Sequence, residues 1–251
     1  MQEGTQRSAK GTWTSKNTTS TTWGGARVGA GRKAKSGRRS TPHRARPLHW
    51  AAHPVHVTLR SKWRSLRKQQ VFPTLVGAIA DQRRREKSFR IVHFSVQYDH
   101  LHLIVEARNK RALSSGMRGL VISIARRVNK LLSERGRFWA DRYHARALTT
   151  PRAVRTALRY VLANFRKHEP RTSRPLLTDA FSSAPWFEGF RECRAGPPLE
   201  RARFAISWRR FVVSDAPVSA AQAWLTLVGW RKMGLLSARE APSSADRRAL
   251  K

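Results

Sequence analysis

Two alternating stretches that meet at a single residue constrain this chain more than any other feature. From Arg90 to Tyr98, Ile91, His93, Ser95 and Gln97 fall on one side and Val92, Phe94, Val96 and Tyr98 on the other, and His100 to Glu106 alternates again. A period of two belongs to β-strands, and with only Asp99 between them the runs are predicted to pair as a tight antiparallel hairpin. A two-stranded ribbon is marginal in water, so other elements must cover and extend it.

Those elements are legible on either side. His56-Val57-Thr58-Leu59 alternates with β-branched residues and reads as a strand, and Pro73 opens a helical pattern through Leu75, Val76 and Ile79 that ends in the charged run Gln82 to Lys87. Leu113, Met117, Leu120, Val121, Ile124, Val128, Leu131 and Leu132 recur at steps of three and four, the stripe of a long amphipathic helix that Gly136 stops. Phe138 to Leu148 reads as a further strand, and Thr150-Pro151 starts a last helix, running to about Lys167, with a capping hydroxyl and a proline at the first helical position. The order strand, helix, hairpin, helix, strand, helix predicts an α+β fold, a ferredoxin- or RRM-like antiparallel sheet with helices packed on it. Residues 53–169 are read as this domain. Residues 1–52 are read as a disordered basic arm, with eleven Lys or Arg against the single acid Glu3 in the first fifty residues, and 170–251 as a partly ordered C-terminal extension that could contact DNA. That extension carries exposed-looking Trp186, Trp208, Trp224 and Trp230 and one helix candidate, Ser219 to Met233.

Composition narrows the partner. In 251 residues, 51 Lys and Arg stand against 15 Asp and Glu, a net charge of +36, while 40% of the chain is hydrophobic. Such self-repulsion in a chain with a core calls for a polyanion, which favours nucleic acid over anionic metabolites or a membrane surface. The lone Cys193 allows no internal disulfide, no apolar run reaches the roughly 18 residues of a membrane span, and no signal core opens the chain, so a cytoplasmic protein, nucleoid-associated in a bacterium, is expected. The glycine-spaced cations around Arg27, Arg32 and Lys33 suit an arm that follows phosphates, and Arg118, Arg126 and Arg127 on the long helix, which the expected fold would place near Tyr160, could track a nucleic-acid backbone.

On the second hairpin strand, His100 and His102 point to one face while Leu101, Leu103 and Val105 point to the other. Two imidazoles side by side can hold a divalent cation with a third ligand from elsewhere, although taken alone such a pair also suits ordinary surface or core histidines. On the last helix Val154, Leu158, Val161 and Phe165 form the apolar stripe; Tyr160 lies roughly 130° and Asn164 roughly 100° from its centre, outside the core and one turn apart. A half-exposed tyrosine beside a polar residue is the plain alternative. Tyr98, on the side of its strand with Phe94 and Val96, and Tyr143 are weaker nucleophile candidates, and His93 and His144 are read as structural. Glu106 shares the histidine face but sits roughly 13 Å along the strand, too far for the same ion, and reads as solvated or ion-pairing.

The segment "DHLHLIVE", followed some sixty residues later by "LRYVLAN", resembles the single-tyrosine HUH transposases, most closely the REP-associated tyrosine transposases, across His56 to Lys167. "FWADRYHARAL" is similar to the same family, and "GGARVGAGRK", "FSSAPWFEGF" and "AWLTLVGWRKMGL" resemble flanks of a bacterial subgroup. The resemblance implies His100 and His102 as metal ligands for Mg²⁺ or Mn²⁺, Tyr160 as nucleophile and Asn164 as a third ligand. It further implies metal-dependent nicking and joining of single-stranded or hairpin DNA through a 5′-phosphotyrosine, by a monomer or homodimer. Phe165 stands where the family pattern usually has proline, so the last helix is expected to continue another turn. The rival readings are a non-catalytic hairpin- or sequence-specific nucleic-acid binder on the same fold and a ribosome-associated basic protein.

Overall fold

The computed structural model describes residues 47–63, 65–85, 87–167, 178–192 and 216–250. The elements follow one another as β1 (Val55–Arg60), α1 (Val71–Arg85), β2 (Phe89–Val96), β3 (His100–Ala107), α2 (Lys110–Leu131), β4 (His144–Ala147) and α3 (Pro151–Leu162). All the pairings are antiparallel and the sheet order is β2-β3-β1-β4. This is the split βαββαβ arrangement of the ferredoxin-like fold, with α3 added, and the α+β expectation holds.

The alternation of β1 and β3 divides the sheet into two chemically different faces. Val55, Val57 and Leu59 with Leu101, Leu103 and Val105 bury one face against α1 and α2, whose Leu75, Ile79, Met117, Leu120 and Ile124 complete the larger core. The opposite face carries His56, Thr58, His100, His102 and Ile104 and is covered by α3. Ile104 there joins Leu148, Val154, Leu158 and Val161 in a second core. Caps set the helix starts: Asn109 accepts from the Ala112 N–H at 2.9 Å, and Thr150 accepts from the Ala153 N–H at 3.1 Å with Pro151 opening α3.

The hairpin forms with a three-residue join, Gln97 to Asp99, but β2 does not keep strict alternation. A bulge between Ile91 and His93 leaves Ile91 opposite Val105 and His93 opposite Ile104. Ile91 therefore joins Phe94 and Val96 in the larger core, and His93 turns to the α3 face with Ser95. Tyr98 lies past the strand end and is 55% exposed, not on a buried side. The strand expected over 138–148 is confined to β4, since Phe138 and Trp139 pack into the core from a loop.

The α-helix α3 ends at Leu162, and Asn164–Lys167 continues it only as a 3₁₀ turn, so the additional α-helical turn expected from Phe165 is absent. The candidate helix Ser219 to Met233 contains one helical turn, Trp224–Leu227, and a 3₁₀ turn, Gly229–Met233. Its first residues are held extended: the Ser219 N–H donates to Ile91 O at 2.8 Å, and the Gln222 and Ala223 N–H groups donate to the Glu106 carboxylate. Glu106 is 1% exposed and also accepts from Arg90 and from the Thr226 hydroxyl, so it is an ion-pairing residue without the solvation expected. Trp230, expected to be exposed, is buried in the second core, whereas Trp224 is exposed and Trp208 lies outside the described residues. The outer edge of β2 is covered: Val96 N–H donates to Phe181 O and Ser183 N–H to Phe94 O. Among the described residues no helix is long and apolar enough to cross a membrane.

Candidate active site

Strand register assembles the site. Thr58 lies opposite His102 on one side and His144 on the other, and Arg60 lies opposite His100. Because side chains two apart share a face, His56, Thr58 and Arg60 of β1 stand beside His100 and His102 of β3. Tyr160 descends onto them from α3. The His102 and His56 rings stack at 5.3 Å, His100 meets His102 edge-on at 4.7 Å, and the Tyr160 ring stands edge-on to His102 at 5.0 Å and to His56 at 6.0 Å. A cavity of about 660 Å³ opens over this cluster, lined by these side chains together with Asp99, His144 and Leu250.

The electrostatics favour neutral imidazole at the floor and negative charge at the rim. Burial, reinforced by the charges of His144 and Arg146, lowers the His56 pKa to about 3 against a weak upward pull from the Leu250 backbone, so the ring is uncharged at neutral pH. Neither His56 ring nitrogen makes a hydrogen bond of ordinary geometry among the described residues. At the rim, burial alone would raise the Asp99 carboxyl, but its 2.7 Å hydrogen bond to His100 Nδ1, the His100 charge and Arg60 together hold it below its ordinary value.

The donor set suits a divalent cation. His100 Nδ1 is engaged by Asp99 and His102 Nδ1 by the Thr58 hydroxyl at 3.2 Å, which fixes both rings, so that Nε2 is the nitrogen through which each would hold a cation. A carboxylate or hydroxyl behind the far nitrogen is the usual support of a metal-bound histidine. Among the described residues no three His, Cys, Asp or Glu side chains converge as a metal cluster, so the remaining donors would be oxygens of an amide, a phosphate or water.

Residues 50–164 match the family model described as "Transposase IS200 like", a span that contains every element of the sheet and ends on Asn164. Over those residues the chain is similar to the IS200-like transposases. A solved structure of a REP-associated tyrosine transposase bound to a REP hairpin is similar at 20% identity with a TM-score of 0.42, covering 51% of this chain and 74% of that chain. No curated protein matches the sequence.

Within residues 50–164 the sequence-derived residues divide. His100, His102 and Tyr160 meet in one cavity. Tyr160 is 7% exposed and Asn164 4% exposed, so both are buried rather than set at an open helix flank; Tyr160 faces the imidazoles, while Asn164 lies beyond the break at Ala163 and does not line the cavity. The long helix is not beside Tyr160 as expected. Its apolar stripe packs on the opposite face of the sheet, leaving Arg118 and Arg126 exposed there and Arg127 paired with Asp81. Arg27, Arg32 and Lys33 lie outside the described residues. His144, expected to be structural, is exposed at the cavity, whereas His93 is buried with Nδ1 on the Ser183 hydroxyl. His56, Thr58, Arg60 and Asp99 were not singled out from sequence as site residues; the β1 alternation gave the facing of His56 and Thr58 but not their partner strand.

Proposed function

We propose that this chain cuts and rejoins single-stranded or hairpin DNA through a 5′-phosphotyrosine at Tyr160, as its resemblance to REP-associated tyrosine transposases implies. The observation that carries the reading is the Tyr160 ring set edge-on to His102, which His100 adjoins at 4.7 Å, inside one cavity. A scissile phosphate entering past Arg60 meets the phenol from one side. The Tyr160 oxygen forms a bond to phosphorus and gives up its proton to solvent, and the bond from phosphorus to the 3′ oxygen breaks. That oxygen leaves with a proton as a free hydroxyl. No water is consumed, so the ester keeps its energy and another 3′-hydroxyl can reverse the step and join new ends.

The chain's own residues orient and insulate this chemistry. Asp99 and Thr58 hold the two histidine rings, and neutral His56, stacked on His102, fills the floor without adding charge. Bound on His100 and His102, with Asn164 at the family position for a third donor, Mg²⁺ or Mn²⁺ would withdraw charge from the phosphate oxygens. Covalent trapping tests the proposal: a labelled hairpin oligonucleotide with Mn²⁺ or Mg²⁺ should give a shifted band on a denaturing gel, and Tyr160→Phe should abolish it. A band that persists in Tyr160→Phe would sink the assignment, and tight binding without cleavage under either metal would favour a non-catalytic binder.

A further inference from the structure

A second cavity, of about 410 Å³, lies on the same face of the sheet at its β2 end. Register places the two sites in one row: His93 of β2 is opposite Ile104, which is opposite His56 of β1. Two strand spacings separate the histidines by roughly 10 Å, and α3 packs on Ile104 between them. We propose that this second cavity takes one unpaired nucleobase of the DNA, a reading that rests on the chain being a DNA-processing enzyme.

The walls are flat, aromatic and close-set. Half-buried Trp186 and buried Phe187 and Trp230 line the cavity; the Phe187 and Trp230 rings lie 5.5 Å apart at 37°. Gly189 permits that approach, since a Cβ there would stand 2.7 Å from the Trp230 ring. Among the polar groups in the lining is His93, nine-tenths buried, its Nδ1 fixed by Ser183 at 3.2 Å and its ring edge-on to Phe187 at 5.2 Å. Burial keeps that ring neutral, so it offers a hydrogen bond without a charge to desolvate. Arg83 and Arg231 are exposed among the lining residues; Arg83 is anchored to Ala216 O at 2.6 Å and Arg231 lies over Trp230 at 5.7 Å. Glu188, the one acid in the lining, offers an acceptor to an exocyclic amino group.

An apolar peptide would use the aromatic walls but not two arginines at the rim of a chain with a net charge of +36. A nucleotide uses both, stacking its base on the rings and leaving its phosphates to the guanidinium groups. This is the single-strand binding chemistry that the arginines of α2, on the other face, are not placed to supply beside the cleavage site.

The test is an abasic scan on the full chain. Labelled hairpin oligonucleotides, each with one unpaired nucleotide made abasic, are titrated against the unaltered protein; one position should weaken binding about 5- to 150-fold. A 5-iodopyrimidine at that position should photocrosslink to peptides containing Trp186, Phe187 or Trp230. Ala221→Phe, which fills the cavity from a half-buried wall, should lose the same factor on the intact oligonucleotide and nothing on the abasic one. Equal binding of all abasic forms, or crosslinks that map only elsewhere, would overturn the proposal. Failure of the Tyr160 trap with the base effect intact would remove the nicking assignment alone, whereas no binding of any oligonucleotide would remove both.

Discussion

Replacing Glu106 with leucine should unlatch the C-terminal segment from the sheet. The carboxylate is 1% exposed and gathers donors from two distant parts of the chain: Arg90 Nε and Nη2, each at 3.2 Å, the Gln222 and Ala223 N–H groups at 3.0 and 3.1 Å, and the Thr226 hydroxyl. Leucine preserves much of the volume and removes every acceptor. Removing one partner of a buried ion pair costs about 3–5 kcal/mol because the other charge stays behind. Arg90 is 22% exposed and can turn partly to water, which lowers that cost, while two stranded backbone N–H groups, each worth about 1–3 kcal/mol if buried, raise it. The two corrections oppose each other, so the expected loss is about 3–5 kcal/mol, roughly a fifth or more of the stability of an ordinary domain. Glu106→Gln keeps one acceptor oxygen and should lose about 1–2 kcal/mol. Urea unfolding reads the change through the transition midpoint, and amide exchange should accelerate over residues 219–233 before the rest of the domain. A Glu106→Leu protein within about 1 kcal/mol of the parent, with that segment still protected, would refute the latch.

The two buried histidines make stability depend on pH. His56 and His93 have folded pKa values of about 3 against 6.5 in the unfolded chain, so the folded state refuses protons that the unfolded state accepts. Their contribution is complete above pH 6.5 and is lost as pH falls toward 3, costing about 2 kcal/mol per histidine between pH 7 and 5; His93→Phe should halve that slope, and a flat urea midpoint across the window would contradict it. Gly116→Ala on α2 would drive a methyl group into the fully buried Phe89 ring and to within 2.7 Å of the Phe89 Cβ, and should cost about 1–3 kcal/mol by thermal unfolding. A Gly116→Ala protein as stable as the parent would show that Phe89 can move aside.

What could be read from the sequence was what depends on neighbours in the chain. The pair His100 and His102 follows from a period of two, and Thr150-Pro151 marks a helix start whatever lies around it. His56 and Thr58 escaped notice because β1 meets β3 only through a pairing that joins residues more than forty positions apart. The same limit misplaced α2: its stripe shows that one side is buried, yet not which face of the sheet receives it. Over Ser219 to Met233 helical spacing was outweighed by a remote carboxylate, since Glu106 captures the N–H groups that a helix would have used. Tyr160 proved buried because imidazoles cover the side of the helix that lies away from the apolar stripe, next to the second core it also joins.

The bulge in β2 also determines where this strand tolerates a change of length. Phe89 and Ile91 before it and Phe94 and Val96 after it all face the larger core, a pattern that odd and even positions share only because Val92 is supernumerary in the pairing. Deleting Val92 would leave a regular ladder with each of those four side chains still directed inward, at the expense of one wall of the second cavity. Deleting Ser95 instead would invert the facing of whatever lies on one side of the gap. Among related sequences, length variation in this strand should therefore gather at one position, and chains lacking that residue should have lost the second cavity while keeping the fold.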